Sequence, residues 1–174
     1  GVLKGQELIN SAKVKNLAGD FKNIPVYMYG YQDKFRALPG DDLTATTHVP
    51  SATANGNGNG VIEGNWDSVT ATSATAADES VIFWQHVRVA QFATGSTAVT
   101  INPARTDPYF PLNANGGRIG IESGSANPPI VGLNGSYYIC SEGILGKFVT
   151  QIDTQLDNGS PNSGAMMAYP QATT

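Results

Sequence analysis

The chain has 174 residues, enough for one domain with a real core, and a net charge of −4 at neutral pH from ten Lys and Arg against fourteen Asp and Glu. Charged residues make up only 14%, below the usual quarter, and Gly, Pro, Ser, Thr, Asn and Ala replace them, a composition suited to loop-rich surfaces that tolerate close packing. The basic residues are scattered, which argues against nucleic acid as a partner; the single Cys excludes an intramolecular disulfide; and no stretch reaches the ~20 apolar residues of a membrane span.

The first segment carries the clearest periodicity. Val14, Leu17, Ala18, Phe21, Ile24, Pro25 and Met28 recur at the spacing of one helix face, with Lys13, Lys15, Asp20, Lys22 and Asn23 off that stripe. Residues 1–37 are therefore expected to form a long helix, and residues 38–174 a head that makes a single domain with it. Pro25 removes a backbone donor and predicts a kink. Leu38-Pro39-Gly40-Asp41-Asp42 is a strong breaker run. The stripe from Val14 to Met28 should face a sheet in the head. Val2, Leu3, Leu8 and Ile9 continue the apolar content at another angle and should meet a different surface.

From Asp41 to Ala77 the sequence is small, polar and turn-rich, as for a long loop. Order returns over Asp78–Ala90, where Asp78 can cap a helix that is apolar around most of its circumference and so should be buried. Strands are expected at Ala98–Ile101, Arg118–Glu122, Ile130–Leu133, Ser136–Cys140 and Ala165–Tyr169, with Asn134-Gly135 as a hairpin turn. Ile144, Leu145, Phe148, Val149, Ile152 and Leu156 repeat at helix spacing, and Asp157-Asn158-Gly159 ends that helix. The fold class is α+β, with a long N-terminal helix packed on a small antiparallel sheet and further short helices.

These blocks resemble type IV pilin-like proteins, the prepilin-type subunits of pili and of type II secretion pseudopili. The resemblance is carried by Gly1–Asn10 and Lys15–Pro25, by Tyr31–Asp42, by Asn59–Trp66, by Glu79–Arg88, by Gly117–Gly120 and by Leu145–Lys147 with Ile152–Asp157, in order along nearly the whole chain. It implies a pilin-like fold and an apolar half-helix upstream of Gly1, released from a leader by a prepilin peptidase. That segment would hold the subunit in the inner membrane and later line the fibre core. Partners would be other pilin subunits, and the location an extracellular filament. Within the family, a pilus subunit stands beside a secretion pseudopilin and a minor pilin acting as tip adhesin or DNA-capture module, DNA capture being disfavoured by the acidic charge. A loop-rich hydrolase is the rival from another class. The hydrolase would need a catalytic site that the sequence does not offer.

Asn55, Asn57 and Asn59 alternate with glycine as the leading oxygen donors of a calcium loop do, and Glu63 and Asp67 are the anions nearby. Neutral Asn replaces the leading carboxylates and Trp66 stands where the closing Glu belongs, so a Gly/Asn turn series without metal is the competing interpretation. Calcium is thus an optional ligand rather than a required cofactor. Asp153 and Asp157, one helical turn apart, read first as a solvated face and second as a metal edge. His86 reads as a packed core histidine, His48 as a loop histidine with no carboxylate close in sequence, and Cys140 as a small core residue. No catalytic triad or zinc site can be assembled from them, and no enzymatic activity is expected.

Overall fold

Val2–Phe35 forms one 34-residue helix, α1, in the computed structural model, which describes residues 1–68, 79–99, 107–124 and 128–169. Pro25 lies inside α1. The helix stops at Phe35 because Arg36 turns left-handed (φ 57°) and its N–H closes on Gln32 O at 2.8 Å. Among the described residues α1 is followed by α2 (Ala45–His48), α3 (Glu79–Val89), β1 (Ile119–Glu122), β2 (Tyr138–Ser141) and α4 (Gly146–Leu156). The architecture is α+β with a long N-terminal helix and a small antiparallel sheet, as the patterning implied.

Helix α3 is the centre of the head. Glu79 to Arg88 are all buried, and Val81, Phe83, Trp84 and Val87 share a cluster with Ile62, Tyr109, Phe110, Ile119 and Ile121. Its buried polar side chains fasten the surrounding loops. Gln85 Nε2 donates to Thr97 O at 2.8 Å, while its Oε1 accepts the Thr53 N–H. Arg88 Nη1 donates to Ser96 O and Tyr109 O, and Tyr109 Oη donates to Val81 O. Each buried polar group on these side chains thus has a backbone partner in place of water.

Along its length α1 meets three surfaces in turn. Val14, Leu17 and Ala18 pack against Phe148 and Ile152 of α4. Ile24 and Met28 enter the α3–β1 cluster, and Tyr31 joins Ala45, Val49, Ala52 and Ala90. The expectation that the whole stripe faces the sheet is therefore corrected. A helix of this length spans about 50 Å, whereas the four-residue strands reach only about 13 Å. Phe21 is half-buried at the edge of the α4 cluster rather than central to it.

The sheet is β1 antiparallel to β2, with Ile119 opposite Ser141 and Glu122 opposite Tyr138. Both strands lie within two residues of their expected bounds. The Asn134-Gly135 hairpin is not formed: Pro128-Pro129 remove backbone donors, Gly132 takes φ 92°, and Ile130–Leu133 closes a turn through Leu133 N–H to Ile130 O. Ala165–Tyr169 is not a strand either, because its first two amides turn onto the Asp157 carboxylate. Ala98 and Val99 are outside any strand, and the rest of that expected element lies outside the described residues, as does the proposed cap Asp78. Short α2 falls in a stretch expected to be loop throughout.

Candidate functional site

Burial on α1 begins at Val14. Before it, the helix carries Val2 (90% exposed), Leu3 (81%), Leu8 (72%) and Ile9 (54%) on its open surface. Four large apolar groups on one helical arm expose surface that association would remove from water. Among the described residues, no helix is long and apolar enough to cross a membrane.

The Asn/Gly loop folds over two buried acids. Asp41 accepts the Asn59 and Gly60 amides at 2.9 and 2.7 Å, and Glu79 accepts those of Asn57 and Glu63 at 2.9 and 3.0 Å. Asn57 and Asn59 side-chain oxygens each accept the amide two residues on, while their NH₂ groups turn onto Glu63. Asn55 is occupied elsewhere, accepting the Thr46 N–H, and Asp67 lies beside Arg118, whose guanidinium donates to its carbonyl. The five residues therefore do not converge as a ligand set. Only Glu63, Asn57 and Asn59 come together, and they do so as a chain of turns in which the amide oxygens are already engaged. Among the described residues no group of three or more His, Cys, Asp or Glu is placed to hold a metal. Burial pushes the Glu79 carboxyl up to about 7; Asp41 and Glu63 add to this against the two amide hydrogen bonds.

A cluster that the sequence reading missed sits on α2. His48 Nδ1 lies 2.7 Å from Asp42 Oδ2, and the same oxygen accepts Tyr31 Oη at 2.7 Å. Phe35 stacks on the His48 ring, and Asp42 Oδ1 takes the Thr44 amide. Burial alone would raise Asp42, but hydrogen bonds from His48, Tyr31 and Thr44 together hold it below the usual carboxylate range. The six-residue separation of Asp42 and His48 was a usable signal, since one turn of chain brings them together. The cluster anchors the α1–α2 connection.

His86 is buried as expected, accepting the Gly40 amide at Nδ1 and facing Ala54 O through Nε2, both at 3.0 Å. This pattern fixes a neutral ring with its proton on Nε2, in keeping with burial lowering its basicity. Burial pushes the half-buried Cys140 thiol up, and the Glu122 and Asp67 carboxylates push it further, which disfavours the nucleophilic thiolate. The Asp153–Asp157 pair is not a solvated face: Asp153 is fully buried and only Asp157 is exposed. Comparison of the chain with protein-family models, with characterised proteins and with solved structures finds no match.

Proposed function

We propose that this chain is a structural, non-enzymatic subunit of an extracellular type IV pilus-like filament, with the start of α1 as its assembly element and the remainder as the outer head. The observation that carries the reading is the exposure of Val2, Leu3, Leu8 and Ile9 on a helix whose next turns are fixed in the head's core. An arm of that kind presents the same apolar surface on every copy, and a head-to-tail contact between unlike surfaces that does not close on itself extends into a fibre. The α+β arrangement of one long helix against a small head is consistent with a pilin-type fold. The partners are other copies or close relatives, and the subunit waits in the inner membrane before assembly.

The test is made in the natural host with the complete gene. Leu3→Asp and Leu8→Asp are introduced together, and filaments are sought by electron microscopy and in sheared surface fractions. Filaments that contain the parent and vanish in the double variant, with the purified head's melting temperature unchanged, are the expected result. Filaments indifferent to both substitutions, or a parent found in none, overturn the proposal.

A further inference from the structure

The two strands of the sheet differ in what covers their outer edges. In an antiparallel pair, residues alternate between bonding the facing strand and pointing their N–H and C=O away from it. Glu142 N–H donates to Arg118 O at 3.0 Å, which fixes the phase of β1 against β2. Tyr138 and Cys140 therefore bond Glu122 and Gly120 of β1, while Ile139 and Ser141 turn their backbone groups outward. On the β1 side the outward positions are covered. Ile119 N–H reaches Pro111 O at 2.9 Å, and Ser123 N–H, just past the strand, reaches Ile62 O at 3.0 Å. On the β2 side, among the described residues, the N–H and C=O of Ile139 and Ser141 have no partner.

That edge forms one wall of an open groove of 1160 Å³, whose other surfaces include Phe21, Ile144, Val149, Leu156 and Met166. A free sheet edge is normally guarded by Lys, Pro or a bulge, because it pairs readily with another chain. Tyr138-Ile139-Cys140-Ser141 has no charge and no proline, and it pairs with β1 one residue to one, without a bulge. Backbone groups offered at every second residue fit an extended chain; a helix or a lipid tail has no such row to return.

We infer that β2 pairs with β2 of a second copy, antiparallel about a two-fold axis, so that the two sheets join into one. The edge is its own complement. With the axis at Cys140, Ile139 lies opposite Ser141 of the second copy and Ser141 opposite its Ile139, so every outward N–H and C=O of both strands finds a partner. In this register Glu142 meets Tyr138 rather than another carboxylate, and no like charges are opposed. The groove leaves room beside β2 for the incoming strand, which lies about 4.8 Å away. The chain's own segment 165–169 borders the same groove but is engaged elsewhere. Asp157 holds its first two amides, and Ala168 N–H donates to Pro161 O at 2.8 Å. The contact uses the head and not the N-terminal arm, and is independent of the filament proposal.

The experiment is sedimentation equilibrium of the purified chain, with backbone amide exchange followed by NMR at several protein concentrations. A monomer–dimer equilibrium is expected, with exchange at Ile139 and Ser141 slowing as the dimer forms. Ile139→Pro removes an outward N–H and none that bonds β1, a position where an edge strand tolerates proline. It should weaken dimerisation about tenfold or more, while the Gly120 and Cys140 amides between the strands stay protected. Leu3→Asp with Leu8→Asp, which alters only the arm, should leave the dimer intact. Should Ile139→Pro fail to fold, the concentration dependence of exchange in the parent decides. A monomer at every concentration, a dimer indifferent to Ile139→Pro, or one lost in the arm variant overturns the inference. So does protection of Ile139 and Ser141 that is the same at every concentration, since segment 165–169 of the same chain would then close the edge.

Discussion

Tyr31 Oη donates to Asp42 Oδ2 at 2.7 Å, and both residues are fully buried, so the last turn of the long helix is fastened to the chain immediately after it. The same oxygen faces His48, and the neighbouring one takes the Thr44 amide. Asp42→Ala would strand the Tyr31 hydroxyl and the Thr44 amide together, and should cost about 3 kcal/mol in urea unfolding. Its pH signature is also defined. Asp42 is held below the ordinary carboxylate range, so the native state binds its proton less readily than the unfolded chain does. The stabilisation is complete above the unfolded value near 4 and is lost as pH falls through the lowered native one. Unfolding at pH 7 and pH 3 should show a smaller acid loss in Asp42→Asn than in the parent; equal losses would remove Asp42 from the account.

The contrast between two residues of one stripe tests how α1 is held. Leu17 is fully buried between α1 and α4, and Leu17→Ala should cost about 2–5 kcal/mol. Phe21, one turn on, is half-buried at the edge of that cluster, and Phe21→Ala should cost about 1–2 kcal/mol. Thermal or chemical unfolding ranks the pair. A larger loss at Phe21 would mean that the helix is seated on a different face.

The helix itself was legible because its period repeats over many turns, and α3 because apolar residues surround it. Which surface each turn of α1 would touch was not legible, since periodicity fixes a face but not its partner. Tyr31 was outside the stripe read from Val14 to Met28, although it continues the same spacing three residues beyond Met28. The short strands near Ile130 and Ala165 failed for a local reason: paired prolines, positive-φ glycines and the pull of Asp157 on two amides outweigh β propensity. At the Asn/Gly loop the donor spacing was visible, but spacing cannot tell whether an Asn oxygen faces a cation or its own backbone. Asp41 and Glu79, the acids that organise the loop, come from outside it and could not be found by reading along it.

Glu79 supplies a pH dependence of the opposite sign to Asp42. Its folded carboxyl is raised to about 7 by burial, so between its ordinary value and that point the native state holds a proton that the unfolded chain has released. Stability should therefore fall as pH rises from about 4.5 to about 7 through this group alone. Melting curves across that window should slope less in Glu79→Gln. The variant also carries a pH-independent loss, because an amide NH₂ replaces one of the two oxygens that accept the Asn57 and Glu63 amides. An unchanged slope would mean that those two hydrogen bonds keep Glu79 ionised throughout.

Gly40 is where the fold most needs a missing side chain. It takes φ 91°, its amide donates to His86 Nδ1, and a Cβ built on it would lie 2.7 Å from the Glu79 carbonyl oxygen. Ala there meets both backbone strain and a fixed carbonyl on the buried helix α3, and should cost about 2–3 kcal/mol. Gly60 provides the control, since it has nearly the same torsion (φ 86°) with nothing within 4 Å of the added carbon. Gly60→Ala should cost about 1 kcal/mol, from conformation alone. Urea unfolding of the two variants separates torsion from collision, and equal losses would show that the crowding at Gly40 is relieved by a small shift of the 38–41 segment.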